Sequence, residues 1–120
     1  MKEREEKMLG IANRMVELQK ELRIECIGYL TDLLRSKGGS VEFNCADYPF
    51  CVAYDGGNHP EYATNLYSTV YGASLNDKGI IEFETEDCDE YNVDRVSTME
   101  LWTIVHDIID GGDDVFETED

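Results

Sequence analysis

The 120-residue sequence predicts one α+β domain over residues 1–112, built from a long N-terminal helix, an antiparallel sheet of four to five strands and a short C-terminal helix. Three observations support this prediction. Apolar residues recur at helical spacing over residues 2–37, and they alternate with polar residues in several segments of residues 40–96. Helical spacing then returns over residues 98–110.

The first helix is predicted to end at Gly38 and Gly39, since two glycines are a typical helix stop. At 1.5 Å per residue it would be about 50 Å long, well beyond the roughly 35 Å diameter of a compact domain of this size. It therefore either breaks, with Gly10 and Gly28 as weak points, or projects from the domain and packs on another chain as a homodimer. Its apolar residues from Met8 to Leu22 follow a heptad pattern, which changes to steps of four, four and three after Leu22. The residues predicted to mediate dimerisation are Met8, Ile11, Met15, Leu18 and Leu22.

The middle of the chain has the alternation that is typical of antiparallel strands with one face in water. Gly79 suits the tight turn of a hairpin that joins two of these strands. A longer loop is expected over residues 56–62. We expect strands near residues 41–43, 50–54, 66–75, 80–86 and 91–96.

Ser97 and Glu100 form the sequence pattern of a capping box, which predicts the start of the second helix. Gly111 and Gly112 end it. Residues 113–120 form an acidic tail, expected to be mobile unless Val115 and Phe116 dock on the domain. The apolar face of this helix is predicted to contain Leu101, Trp102, Ile104, Val105 and Ile108.

Charge is distributed unevenly along the chain. Residues 1–37 carry eight Lys or Arg against seven Asp or Glu, whereas residues 38–120 carry two against twenty. A folded body this acidic repels nucleic acid and anionic lipid, so we expect neither direct nucleic-acid binding nor membrane binding. The expected charged partner is a basic protein surface.

The predicted partner-binding site is the acidic strand near residues 81–86 and the segment after it. Glutamates at alternate positions lie on one strand face at intervals of about 7 Å, comparable to successive phosphates of a nucleic-acid strand. The alternative is a solvated face that only keeps the protein in solution. Solubility needs a net charge of only about 2–8 in a small domain, and this chain carries −17, which favours a binding role. The predicted binding residues are Glu82, Glu84, Glu86, Asp87, Asp89, Glu90 and Asp94.

The sequence offers little for catalysis or metal binding. It contains none of the common nucleophile, phosphate-loop or dinucleotide motifs, and both His59 and His106 have simpler explanations as a turn residue and a helix-surface residue. A calcium loop that starts at Asp87 lacks the required glycine and the final glutamate. The four cysteines lack Cys-x-x-Cys spacing and are predicted to be thiols. We therefore predict no enzymatic activity, no cofactor and no metal.

No signal-peptide pattern precedes the first helix, so a cytoplasmic location is expected. In size, acidity and lack of catalytic motifs the chain resembles small phage or mobile-element inhibitors that present a nucleic-acid-like surface to defence nucleases. The resemblance implies a non-enzymatic inhibitor of a nuclease or another nucleic-acid-binding protein. The alternative is a structural or assembly protein that self-associates through its N-terminal helix, with the acidity serving solubility.

Overall fold

The computed structural model describes residues 1–54, 66–86 and 91–117 and has the predicted α+β architecture. A long helix is followed by five antiparallel strands and a short helix. The elements are α1 (Lys2–Ser36), β1 (Ser40–Glu42), β2 (Cys51–Tyr54), β3 (Leu66–Leu75), β4 (Ile81–Thr85), β5 (Tyr91–Asn92) and α2 (Thr98–Gly111).

Strand β3 is the long central strand of the sheet. Strands β1 and β2 both pair with it, β2 along residues 66–69 and β1 along residues 72–74, while β4 pairs with it as the next strand of the hairpin. The short strand β5 lies outside β4. A bulge between Val70 and Gly72 changes the register of β3 against β4.

The turn between β3 and β4 forms as predicted. Gly79 has a φ of 77°, which a side chain would strain. The Asn76 side-chain oxygen accepts hydrogen bonds from the backbone N–H groups of Lys78 and Ile80, at 2.9 and 3.0 Å. Asn76 therefore fixes the turn and the register that follows it.

The last strand is shorter than the predicted range of residues 91–96. Only Tyr91–Asn92 pair with β4, and Val93–Arg95 form a 3-10 turn. The Asn92 side-chain oxygen accepts a hydrogen bond from the Asp94 N–H at 2.9 Å, so the chain bends and strand pairing ends there.

The core lies between the sheet and the two helices. The second half of α1 packs on β1, β3, β4 and α2, and the capping box of α2 is present at Ser97 and Glu100. Arg23 donates hydrogen bonds to the carbonyl oxygens of Val96 and Val93, at 2.7 and 2.9 Å, which attaches α1 to the turn before α2. Buried core residues include Cys26, Leu30, Leu34, Phe43, Val52, Val70, Phe83, Leu101, Ile104, Val105 and Ile108.

Helix α1 is continuous, and its N-terminal half projects from this core. Cys26 is the first of its residues to be buried, and residues 1–21 are exposed. The chain is accordingly elongated, with extents of 63 × 38 × 30 Å. Of the two possibilities that the sequence left open, the unbroken projecting helix is the one observed.

Residues 113–117 of the acidic tail dock on the body through Val115 and Phe116, which the sequence allowed as the alternative to a mobile tail. Val115 is fully buried, and the Phe116 ring stacks on Phe43 at 6.0 Å between centroids. The Asn44 N–H donates to the Val115 oxygen at 2.7 Å, and the Glu117 N–H donates to the Glu42 oxygen at 2.9 Å. We call residues 113–117 the C-terminal strap. Residues 118–120 lie outside the described part.

None of the helices in the described residues is both long and apolar enough to cross a membrane.

Candidate functional site: the acidic outer face of the sheet

The outer face of the sheet is acidic because β4 alternates strictly. Ile81, Phe83 and Thr85 are buried towards the helices, so Glu82 and Glu84 lie on the opposite face. Glu86 follows the strand at the next alternate position and is exposed. The predicted face is confirmed in its geometry for these three residues.

The register of the sheet adds further carboxylates to this face. Glu42 of β1 pairs with Gly72 of β3, and Gly72 pairs with Glu84 of β4, so the three residues form a row across the sheet. Glu117 of the strap is bonded to Glu42 through its backbone and continues the row beyond β1. We call Glu42, Glu82, Glu84, Glu86 and Glu117 the acidic face.

Gly72 allows this row to be closely spaced. A Cβ atom on Gly72 would lie 2.6 Å from the Val41 carbonyl oxygen, which real Cβ atoms do not approach, so only glycine fits beside β1 here. The same Cβ position lies 3.6 Å from the Glu84 Oε2 atom. No side chain therefore separates Glu42 from Glu84, whose backbones are about 10 Å apart across two strand spacings.

The carboxylates of the acidic face form no ion pair with the described residues. Glu82 accepts a hydrogen bond from the Asn76 side-chain nitrogen at 2.8 Å. Two unit charges about 7 Å apart in water repel each other by roughly 0.6 kcal/mol, so each neighbouring pair makes a small unfavourable contribution to the free energy of the unbound protein. A cationic partner would relieve that repulsion.

An open groove of about 720 Å³ adjoins the acidic face at Glu117. Asp47, Asp113 and Asp114 line it together with Tyr48 and Phe116. At its edge the Lys37 ammonium lies 3.6 Å from the Asp113 carboxylate and 5.0 Å from the centre of the Phe116 ring. The Lys37 ammonium group is thus bound by a carboxylate and an aromatic ring of the same chain.

Some of the predicted binding residues lie elsewhere or outside the described part. Asp94 is exposed in the 3-10 turn just beyond β5, whose Asn92 pairs with Glu82. Asp87, Asp89 and Glu90 lie outside the described residues.

Sequence reasoning missed Glu42 and Glu117 as members of the acidic face. The alternation of Val41, Glu42 and Phe43 already indicated that Glu42 faces outwards, but its place beside Glu84 depends on the strand order. Nothing in the sequence indicated Glu117, because its position follows from the docking of the strap.

Tyr71 is an exposed aromatic residue at the bulge of β3, next to Gly72. It is the kind of side chain that supplies contact area in protein interfaces. Tyr91, by contrast, is buried, and the Arg95 guanidinium lies 4.2 Å from the centre of its ring. Of these two tyrosines, Tyr71 is the exposed one, and it adjoins Gly72 in the row of the acidic face.

His106 contacts a neighbouring carboxylate and an aromatic ring. The His106 Nδ1 atom lies 3.5 Å from the Asp107 carboxylate, and its ring lies 5.5 Å from Trp102. His59 and Cys88 lie outside the described residues. Among the residues that the structure describes, no group of three or more His, Cys, Asp or Glu side chains is placed to hold a metal ion.

Cys26, Cys45 and Cys51 are unpaired thiols. Burial raises the pKa of Cys45, and the nearby charges of Glu117 and Cys51 raise it further. Burial also raises the pKa of Cys26, partly opposed by Arg23. A raised pKa lowers the thiolate fraction at neutral pH, so neither group is activated as a nucleophile.

No protein-family model matches the chain, and comparisons with curated proteins and with solved structures find no match. The acidic face is therefore interpreted from its own geometry.

Proposed function

We propose that the chain is a non-enzymatic interaction protein whose acidic face binds a basic surface of a nucleic-acid-binding protein and inhibits it. The inhibitor would occupy the site that the partner uses for phosphates, as expected of an inhibitor of the nucleic-acid-mimic type. The chain itself would bind neither nucleic acid nor membrane. A cytoplasmic location belongs to the same proposal.

The observation that carries the proposal is the row formed by Glu42, Glu84 and Glu117 across neighbouring segments, with Glu82 and Glu86 along β4. These carboxylates are held on a hydrogen-bonded sheet. Lysine and arginine side chains of a partner would find acceptors in fixed positions, which favours charge-assisted hydrogen bonds over diffuse attraction. Tyr71 and the groove next to Glu117 would add contact area that salt does not screen.

Reversal of three exposed carboxylates tests the proposal. The variant Glu42→Lys, Glu84→Lys, Glu86→Lys should retain the fold, because all three side chains are exposed. Proteins from a lysate of the source cells are captured on the immobilised chain, and those released between about 50 and 200 mM salt are identified. The purified partner's nucleic-acid binding is then titrated with the parent and the variant. We expect the parent to inhibit it at least tenfold more strongly.

A matched control distinguishes binding at the acidic face from a general effect of net charge. Glu25→Lys, Asp32→Lys, Asp110→Lys reverses three exposed carboxylates on the helical side and changes the net charge by the same amount. The proposal expects this control to inhibit like the parent. If both triple variants lose inhibition equally, the effect of the carboxylates is one of net charge and not of their position. If neither variant loses inhibition, the acidic face is not the binding site.

A further inference from the structure

The projecting half of α1 exposes a continuous apolar surface. Met8, Ile11, Met15 and Leu18 follow one another at heptad spacing along the helix, with Leu9 and Val16 beside them. These six side chains are 40–64 % exposed. We call this surface the exposed seam.

The exposed seam is large for a monomer. At roughly 100 Å² for each of six side chains, it presents about 600 Å² of apolar surface, the upper end of the largest patches on monomeric proteins. Leu9 and Val16 lie about 120° round the helix from the heptad positions, so the four heptad side chains of two copies supply about 800 Å², the size of a weak interface. An isolated helix of about 20 residues is also only marginally stable in water, so a partner would stabilise this half.

We infer that the exposed seam pairs with the exposed seam of a second copy of the chain, and that the two helices run antiparallel. This inference is independent of the proposed function. It specifies the occupant of the seam and the relative direction of the two chains.

Sterics favour the antiparallel direction. Met15 and Leu22 are seven residues apart and Cys26 follows four residues later, so the exposed seam and the buried stripe of α1 share one side of the helix. The body of each chain therefore lies on the same side as its seam. In a parallel pair both bodies would occupy the space between the two helices, whereas an antiparallel pair places them at opposite ends.

Charge favours the same direction. Residues 1–21 carry five basic and five acidic side chains, so the whole net charge of −17 belongs to residues 22–120. An antiparallel pair separates the two acidic bodies by about 30 Å of helix, several times the Debye length of roughly 8 Å. A parallel pair would place them side by side, where they repel each other.

The flanking residues give the antiparallel pair a specific contact. Lys7, Arg14 and Glu21 occupy equivalent heptad positions beside the seam. When Met8 faces Leu18 of the second copy, Lys7 lies beside Glu21 of that copy, and the two-fold axis generates this contact twice. The same register places Arg14 beside Arg14 of the second copy once, so attractive contacts outnumber the repulsive one. Within one chain Lys7 and Glu21 are about 21 Å apart along the helix and cannot meet.

Sedimentation of the full chain over about 1 to 100 µM tests the pairing. We expect a species of twice the 13.7 kDa chain mass. Met15→Asp should shift association to at least tenfold higher concentration. The matched control Asn13→Asp places the same charge two residues away, on the opposite side of the helix, and should associate like the parent. A parent that stays monomeric throughout, or equal loss in both variants, overturns the pairing.

A charge exchange tests the direction. Lys7→Glu and Glu21→Lys each create two like-charge contacts in the antiparallel dimer and should weaken association roughly three- to tenfold. The double variant has the parent's net charge and should recover the parent's association. A parallel pair brings Lys7 near Ala12 instead, so it predicts no recovery. A double variant as weak as the weaker single variant overturns the antiparallel direction.

Discussion

The acidic face and the exposed seam are both open to solvent, yet they differ in nearly every physical respect. The acidic face is a sheet surface whose carboxylates form no ion pair with the described residues, whereas the exposed seam is an apolar stripe on a helical segment with no net charge. Attraction to the first is screened by salt, and burial of the second is not. The net charge of the chain therefore reflects the acidic face and gives no indication of the exposed seam.

The largest expected effect compares two leucines of α1. Leu30 is buried in the core and Leu18 lies in the exposed seam. Leu30→Ala should lower the free energy of unfolding by about 2–5 kcal/mol, because a cavity replaces packed atoms. Leu18→Ala should change it by less than about 0.5 kcal/mol at concentrations where the chain is monomeric. Urea unfolding measures both. Similar losses would show that Leu18 is packed within a single chain.

A smaller effect compares two glycines. Gly72→Ala should lower the free energy of unfolding by about 1–3 kcal/mol, because the new methyl group meets the Val41 carbonyl at 2.6 Å. Gly10→Ala in the projecting helix meets no atom within 4 Å and should raise it by about 0.5–1 kcal/mol. Thermal unfolding distinguishes the two signs. A stabilised Gly72→Ala variant would mean that β1 is free to move away from β3.

The smallest effect compares two glutamates. Glu84→Gln removes one of several mutually repelling charges and should raise the melting temperature by about 1–2 °C at low salt. Glu17 lies 3.6 Å from Lys20, so Glu17→Gln should lower it slightly. Both shifts should disappear in about 1 M salt. A shift of Glu84→Gln that persists at high salt would assign the effect to something other than charge.

The local elements of the fold could be predicted because their causes are local. Gly38 and Gly39 end α1, Gly79 permits the β3–β4 turn, and Ser97 with Glu100 starts α2. Each of these signals acts within about four residues of its own position, so the sequence contains the whole interaction. The length of α1 against the expected size of the body also indicated correctly that the helix would either break or project.

The long-range arrangement could not be predicted in the same way. Alternation identifies which face of a strand is buried, but not which strand lies beside it. The pairing of both β1 and β2 with β3 therefore could not be predicted. For the same reason Glu82 and Glu84 could be assigned to one face from the sequence, whereas Glu42 and Glu117 could not be placed next to them. At the early end of β5 the Asn92 side chain accepts a hydrogen bond from the Asp94 N–H, a local bond that competes with strand pairing.

The C-terminal strap has a consequence for the growing chain during synthesis. Residues 42–44 of the β1 edge are bonded to residues 115–117, which are translated about seventy positions later. Until those residues leave the ribosome, that edge has unpaired backbone groups to which another extended chain could add. Glu42 is already present at the edge, and like charges on neighbouring nascent chains repel each other there. The acidity of this edge thus also discourages strand addition while the protein is being made.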